Sequence, residues 1–354
     1  MAKNMQSDKS SSVLIMDELC SFMDDLPDRC GDYDGNIAVG VSGGPDSMAL
    51  CYALSRYFSE HQADGCIHAL SVDHGLRTES AQEAQMVKVD VSKLSHVIHE
   101  TLLWRHDGVD GRVQERARAA RYDLFSNYMS KHNITHLFLA HHMDDQAETF
   151  LFRLAKGSGL DGLSCMLDIQ ERSDGVSLCR PFLNVEKREL VAYCDENDVP
   201  YVHDPSNDAD KYARVRLRNS MEALKEEGLT SKRLAMTAKR LSSARSALDQ
   251  ISAASYVDCL VSKDTDRLVF NFKLLLSMHK EVVLRVVGRG ISVLCGQQGY
   301  GVRLERLENL CDDLMKPQRF RKRTLGGVIF EVRDKDETFL MTLEHSKNAE
   351  GKQA

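Results

Sequence analysis

Two short stretches carry side chains whose types and spacing point to chemistry. The first, Ser42-Gly43-Gly44-Pro45-Asp46-Ser47, lies between the apolar run Ile37–Val41 and a second apolar run that opens at Met48. A strand-to-helix turn of this kind aims backbone N–H groups and the positive helix end at an anion. Gly43 and Gly44 let the backbone approach a phosphate, Pro45 suits the first helical position, and Ser42 and Ser47 offer hydroxyls. This loop has neither the G-x-x-x-x-G-K-[ST] nor the G-x-G-x-x-G spacing, so no lysine grips a transferring γ-phosphate and the turn is not a dinucleotide fingerprint. Asp46 would repel an anion unless a cation such as Mg2+ bridged it to phosphate oxygens. A capped tight turn is the alternative reading of the hexapeptide taken alone.

The second stretch is "LAHHMDDQAETFLFRL", Leu139–Leu154. On a helix beginning near Asp144, the residues Met143, Ala147, Phe150, Leu151 and Leu154 form an apolar stripe, and Asp144, Asp145 and Glu148 share the other face. Carboxylates this crowded repel one another unless a metal or an amine neutralises them, and they can hold an ammonium group and take its proton. The plainer reading is an acidic helix start favoured by the dipole. Zinc on His141 and His142 is disfavoured, because adjacent residues of a strand point to opposite faces.

These residues need a scaffold, and the chain supplies alternating elements. Short β-branched runs at "IAVGV", "CIHALSVDH", "HVIHETLLW" and "THLFLAHH" are each followed by a helical pattern. The expected fold is α/β, a Rossmann-like doubly wound parallel sheet, with ligands at the carboxyl ends of the strands. A smaller, mainly helical C-terminal region ending in strands is expected to follow. The domain expectation is an N-terminal extension over 1–35, a catalytic domain over 36–220, a helical linker over 221–250 and a C-terminal domain over 251–345.

With 354 residues, 42% of them hydrophobic, the chain can bury more than one core. Ten cysteines without a C-x-x-C pair argue against an iron-sulfur or zinc-ribbon centre and for reduced thiols in a cytoplasmic protein. No apolar run approaches the roughly 20 residues of a membrane span. The net charge of −7 means that a nucleic-acid partner would be met by local basic patches. Lys316, Arg319, Arg321, Lys322 and Arg323 form the densest of these, with a solvated loop as the alternative.

"SGGPDS" resembles the PP-loop of the ATP pyrophosphatases, which activate a carbonyl-type oxygen with AMP and release pyrophosphate. "HHMDDQAET", with "SVDHGLR" at Ser71–Arg77, "ERARAARYDLF" at Glu115–Phe125 and "DPSNDADKYARVRLRN" at Asp204–Asn219, is similar to segments of the tRNA(Ile)-lysidine synthetases. That resemblance runs from about Ile37 to Asn219 and more loosely beyond it. It implies a ligase that uses ATP and Mg2+ to adenylate the wobble cytidine of a CAU-anticodon isoleucine tRNA, after which L-lysine displaces AMP. It further implies ATP contacts at Ser42, Gly43, Gly44, Asp46, Ser47, Asp73 and His74, with Asp46 on the metal. Lysine binding and catalysis fall to Asp145, Glu148 and Arg118. Arg118 and Arg121, one turn apart, suit a lysine carboxylate or a phosphate, or else form a solvated face with Glu115. Arg214, Arg216, Arg218, Arg319, Arg321 and Arg323 would face the tRNA. Val215 stands where the family usually has Asn. The alternatives are another PP-loop enzyme such as a tRNA cytidine thiolase, which the lack of C-x-x-C disfavours, and a non-catalytic tRNA-binding protein. A homodimer is compatible with the sequence, though nothing in it requires one.

Overall fold

Strand β1 (Ile37–Gly40) alternates its side chains between two cores, and the first sheet is built outward from it. Ile37 and Val39 enter one apolar cluster, and Ala38 enters another on the opposite face. Such two-sided burial is what turns a short β-branched run into the centre of a parallel sheet. The computed structural model describes residues 10–30, 35–75, 79–106, 113–202, 221–296, 302–316, 320–333 and 337–344.

Helix α2 (Pro45–Glu60) follows β1, and then come β2 (Ile67–Asp73), α3 (Glu79–Val91), β3 (Val97–Leu103), α4 (Val113–Lys131) and β4 (His136–Phe138). After α5 (Met143–Ala155) and the short α6 (Leu160–Leu163) lie β5 (Ile169–Glu171), β6 (Ser177–Cys179) and α7 (Lys187–Glu196). The strand order is β3-β2-β1-β4-β6-β5, parallel except for the β5–β6 pair. Strand order therefore reverses at β1, and the loops leaving β1 and β4 diverge around a crevice at their carboxyl ends.

Helices α2, α3 and α7 line one face of the sheet through residues such as Leu50, Phe58, Val91 and Tyr193, while Phe125 and Met129 of α4 cover the other. Helix α1 (Ser11–Cys30), from the segment read as an extension, buries Ile15, Leu19 and Leu26 in the same cluster as α2 and α7. Its amino end is held by α7, where Glu196 accepts from the N–H groups of Ser11 and Ser12, and Glu189 accepts from the Ser11 hydroxyl at 2.7 Å. An amphipathic helix this deeply packed is a layer of the domain.

The chain divides into compact units at 240/241, within α8 (Ser231–Cys259). In the second unit, β7 (Leu260–Lys263), β8 (Arg267–Asn271), β9 (Arg323–Leu325), β10 (Val328–Arg333) and β11 (Thr338–Leu343) form an antiparallel sheet in the order β7-β8-β11-β10-β9. Helix α9 (Phe272–Leu276) leads from β8 into α10 (Lys280–Cys295), which packs with α11 (Leu304–Leu314) on a core containing Phe270, Phe330 and Phe339. This unit holds more sheet than its periodicity suggests, because β7 and β8 are short strands bounded by helices. No helix among the described residues is long and apolar enough to cross a membrane.

Candidate active site

The loop after β1 is shaped before any ligand arrives. Ser47 Oγ accepts from the Ser42 N–H at 3.0 Å and donates to the Gly44 carbonyl at 3.1 Å, so one hydroxyl staples both ends of the turn. Gly43 has φ +83°, and a Cβ there would lie 2.9 Å from Val87 Cγ2. Gly44 is the N-cap of α2 without a side-chain cap, and Pro45 opens the helix. The first-turn N–H groups consequently have no side-chain acceptor at the cap and face the crevice end of the sheet.

Asp46 follows at once, and its Oδ1 is buried with no hydrogen-bond partner. Its Oδ2 lies 3.7 Å from His142 Nε2 and 3.8 Å from Lys187 Nζ. His142 is the N-cap of α5, and its Nδ1 accepts from the Asp145 N–H at 3.3 Å while Asp145 Oδ2 accepts from the His142 N–H at 3.0 Å. Nε2 of the same ring is 3.4 Å from Asp145 Oδ2. Burial alone would push this imidazole down. The close approach of the Asp46 carboxylate and the charges of Asp145, Asp46 and Asp144 outweigh it, leaving the net shift upward. Burial raises Asp145, against the opposing pull of His142, with Glu148 and Asp46 adding to the rise.

Asp144 has a different character. Its Oδ2 accepts from the Lys187 N–H at 2.8 Å and its Oδ1 from the Ser231 hydroxyl at 2.6 Å. Burial would raise this carboxyl, but those two bonds and the charges of His142 and Lys225 bring it below the ordinary value. The three helix-start carboxylates thus separate: Asp144 ties α5 to α7 and α8, Asp145 faces His142, and Glu148 sits half-buried one turn on.

A cavity of about 320 Å3 opens beside the loop, walled by Ser42, Asp46, Ser47, His74, Arg118 and His141 among others. Asp145, Glu148 and Asp73 are not among its walls, and Asp73 Oδ1 accepts instead from the Gly75 N–H at 2.9 Å. Arg121 Nη2 lies 3.2 Å from His74 Nε2, and a guanidinium can only donate, so the neutral ring carries its proton on Nδ1. That Nδ1 is buried without a partner, and burial followed by Arg121 lowers the ring's proton affinity. His141 Nδ1 is also buried and unpartnered, and burial, with Arg180 and Arg118 next, pushes this ring down to about 3. Arg118 donates to the Tyr122 hydroxyl at 3.4 Å with its guanidinium carbon 5.3 Å from the ring centre. The cavity therefore offers neutral imidazoles and guanidiniums to an anionic ligand.

Sequence reasoning missed His142 as a bridge, Lys187, and Arg180, which is 3% exposed and donates to the Leu167 carbonyl and Gln170. These residues come from separate segments and share no local motif. Arg77, Arg214, Val215, Arg216, Arg218 and Arg319 lie outside the described residues. In the second unit, Arg323 pairs with Asp313 at 2.6 Å, Lys316 with the same carboxylate at 2.6 Å, and Lys322 with Glu331 at 3.1 Å, while Arg321 is exposed.

Residues 16–224 match the PP-loop domain family. The chain is 33% identical over 330 residues to the tRNA(Ile)-lysidine synthase of Wolbachia sp. subsp. Brugia malayi, spanning 93% of this chain and 75% of that one. It is 37% identical over 305 residues to the tRNA(Ile)-lysidine synthase of Methylobacterium nodulans, spanning 84% and 88%. Among solved structures, the U34-tRNA thiolase NcsA of Methanococcus maripaludis shares the fold with a TM-score of 0.50 at 16% identity, over 64% of this chain and 79% of that one. The matched PP-loop and the extent of these alignments lead to one conclusion: the chain belongs to the tRNA(Ile)-lysidine synthase family.

Proposed function

We propose that this protein ligates lysine to C2 of the wobble cytidine of an isoleucine tRNA with a CAU anticodon. The observation that carries the reading is the meeting of Asp46, on the phosphate-type loop, and Asp145, on the carboxylate helix, at one imidazole nitrogen of His142. One site then serves both a nucleotide and an amine.

In the first step, the cytidine C2 oxygen attacks the α-phosphorus of ATP and pyrophosphate leaves. The N–H groups at the start of α2, with Ser42, Gly43, Gly44 and Ser47, hold the departing phosphates, and the His74 Nδ1–H offers a further donor. In the second step, the lysine ε-amine attacks C2 and AMP leaves. Asp145 and Glu148 orient the ammonium group and take the proton it must lose before attack, and Arg118 receives the lysine carboxylate.

The residues fit a Mg2+ ion at Asp46, whose Oδ1 is buried and unpartnered. Among the described residues no group of three or more His, Cys, Asp or Glu side chains is placed to hold a metal, so phosphate oxygens and water would complete its shell. When bound, the ion offsets charge on the pyrophosphate.

The tRNA would lie against Arg321 and Arg323 of the second unit, together with Arg319, Arg214, Arg216 and Arg218. The reading implies an enzyme of the cytoplasm, where its tRNA is found, and it is compatible with a homodimer. Its domains would be a catalytic PP-loop domain and a tRNA-binding C-terminal domain. The test is incubation with ATP, Mg2+, labelled lysine and the CAU-anticodon isoleucine tRNA. Label in the tRNA with release of AMP is the expected result. Failure to incorporate label, under conditions where a related synthase succeeds, would sink the proposal.

A further inference from the structure

His142 occupies the point where the nucleotide side and the amine side of the proposed site meet, and it is 4% exposed. Its Nδ1 accepts from the Asp145 N–H, so the neutral ring carries its proton on Nε2, a tautomer assigned from the hydrogen-bond pattern. That N–H faces Asp145 Oδ2 at 3.4 Å and Asp46 Oδ2 at 3.7 Å. At these distances the N–H is committed to neither carboxylate, and it can be donated fully to only one of them. Asp144 Oδ2, 3.8 Å from Nδ1, does not compete, since the Lys187 N–H already binds it.

The inference rests on the reading in which Asp46 serves the nucleotide and Asp145 the amine. We propose that His142 is a positioning residue that makes lysine binding conditional on nucleotide loading. With Asp46 engaged by the nucleotide and its cation, the Nε2–H is left to Asp145 and fixes that carboxylate where the amine must sit. Lysine binding in turn favours the nucleotide-engaged position of Asp46, because such coupling is reciprocal. A helix cap alone would contribute stability without connecting the two ligands.

Two substitutions separate the functions of the ring. His142→Asn keeps a cap acceptor near Nδ1 and removes the Nε2 donor. His142→Gln reaches the Nε2 position with a donor and loses the cap. The measurement is calorimetric titration of L-lysine with and without Mg2+ and a non-hydrolysable ATP analogue.

In the wild type the analogue should tighten lysine binding about 5- to 150-fold, the usual span of such coupling. In His142→Asn that factor should fall to within about twofold of unity, and His142→Gln should regain most of it although its fold is less stable. Unchanged coupling in His142→Asn, or equal loss in both variants, overturns the proposal. If the wild type binds both ligands without coupling, this inference alone fails. If it binds neither, the functional reading fails and takes the inference with it.

Discussion

Asp144 accepts from the Ser231 hydroxyl at 2.6 Å, joining the start of α5 to the start of α8 across 87 residues of sequence. With its second oxygen on the Lys187 N–H, this carboxylate is committed to holding three helices together. Asp144→Ala should therefore destabilise the first unit by about 1–3 kcal/mol, because two donors lose their acceptor. At temperatures where the variant is folded, its KM for lysine should stay within a few-fold of wild type. Asp145→Ala should do the reverse, with a small loss in denaturant midpoint and a large loss of lysine incorporation. Both follow from unfolding curves run beside lysine kinetics.

The two glycines of the turn should respond differently to a methyl group. At Gly43 the positive φ and the 2.9 Å approach to Val87 Cγ2 both oppose a Cβ. Gly43→Ala should cost about 1–2 kcal/mol from the backbone alone, and ATP affinity should fall with it. A Cβ on Gly44 would meet Ser42 Oγ at 3.7 Å, an ordinary contact. Gly44→Ala should melt close to wild type, and any effect should appear in nucleotide binding. Thermal melts with and without ATP separate the cases.

His141 predicts an acid-sensitive fold. Its folded-state value lies near 3 against an ordinary 6.5, with burial as the main cause and Arg180 next. The unfolded chain thus binds more protons between those values. The contribution to stability is fully present above 6.5, is lost as pH falls towards 3, and levels off below. The slope from this one group is at most about 1.4 kcal/mol per pH unit. His141→Gln should flatten the acid limb, as chemical denaturation at several pH values would show. An unchanged limb would assign the acid sensitivity to other groups.

In the second unit the basic stretch is partly neutralised from within. Lys316 and Arg323 share the Asp313 carboxylate, and their hydrogen bonds hold that carboxyl below its ordinary value. Arg321→Ala should therefore weaken tRNA binding and lower its logarithmic salt slope by about one, whereas Arg323→Ala should change it less. Asp313→Asn should act in the opposite sense, tightening binding by releasing Lys316 and Arg323. Binding titrations over a range of salt concentrations check all three.

The elements that announce themselves in the sequence are those whose chemistry is local. Ser42 to Ser47 is legible because a glycine pair, a proline and two hydroxyls between apolar runs define a turn within six residues. The parallel sheet follows from runs such as Ile37–Val39, buried on both faces. The acidic face of α5 is visible from its spacing, yet the spacing gives Asp144 and Asp145 equal standing. Only the distant Lys187 and Ser231 separate them. The part His142 plays was hidden for a related reason: strand alternation argues only about an ion shared with His141 and says nothing of a carboxylate arriving from Asp46. Strand β8 was hidden because it pairs with β11, about seventy residues later in the chain, and β7 joins the sheet only through β8.

Helix α1 carries a consequence for how the protein is made. Its Ser11 hydroxyl is bonded to Glu189, 178 positions away, and its apolar face belongs to the cluster that α7 completes. At ordinary synthesis rates of about 5–20 residues per second, α1 leaves the ribosome roughly 10–40 s before its partner does. During that interval Ile15, Leu19 and Leu26 have only α2 and the first strands to cover them, and closing so long a span contributes to slow folding. Until α7 emerges that apolar face lacks part of its cover, and the step that closes the first unit comes late in the synthesis of that unit.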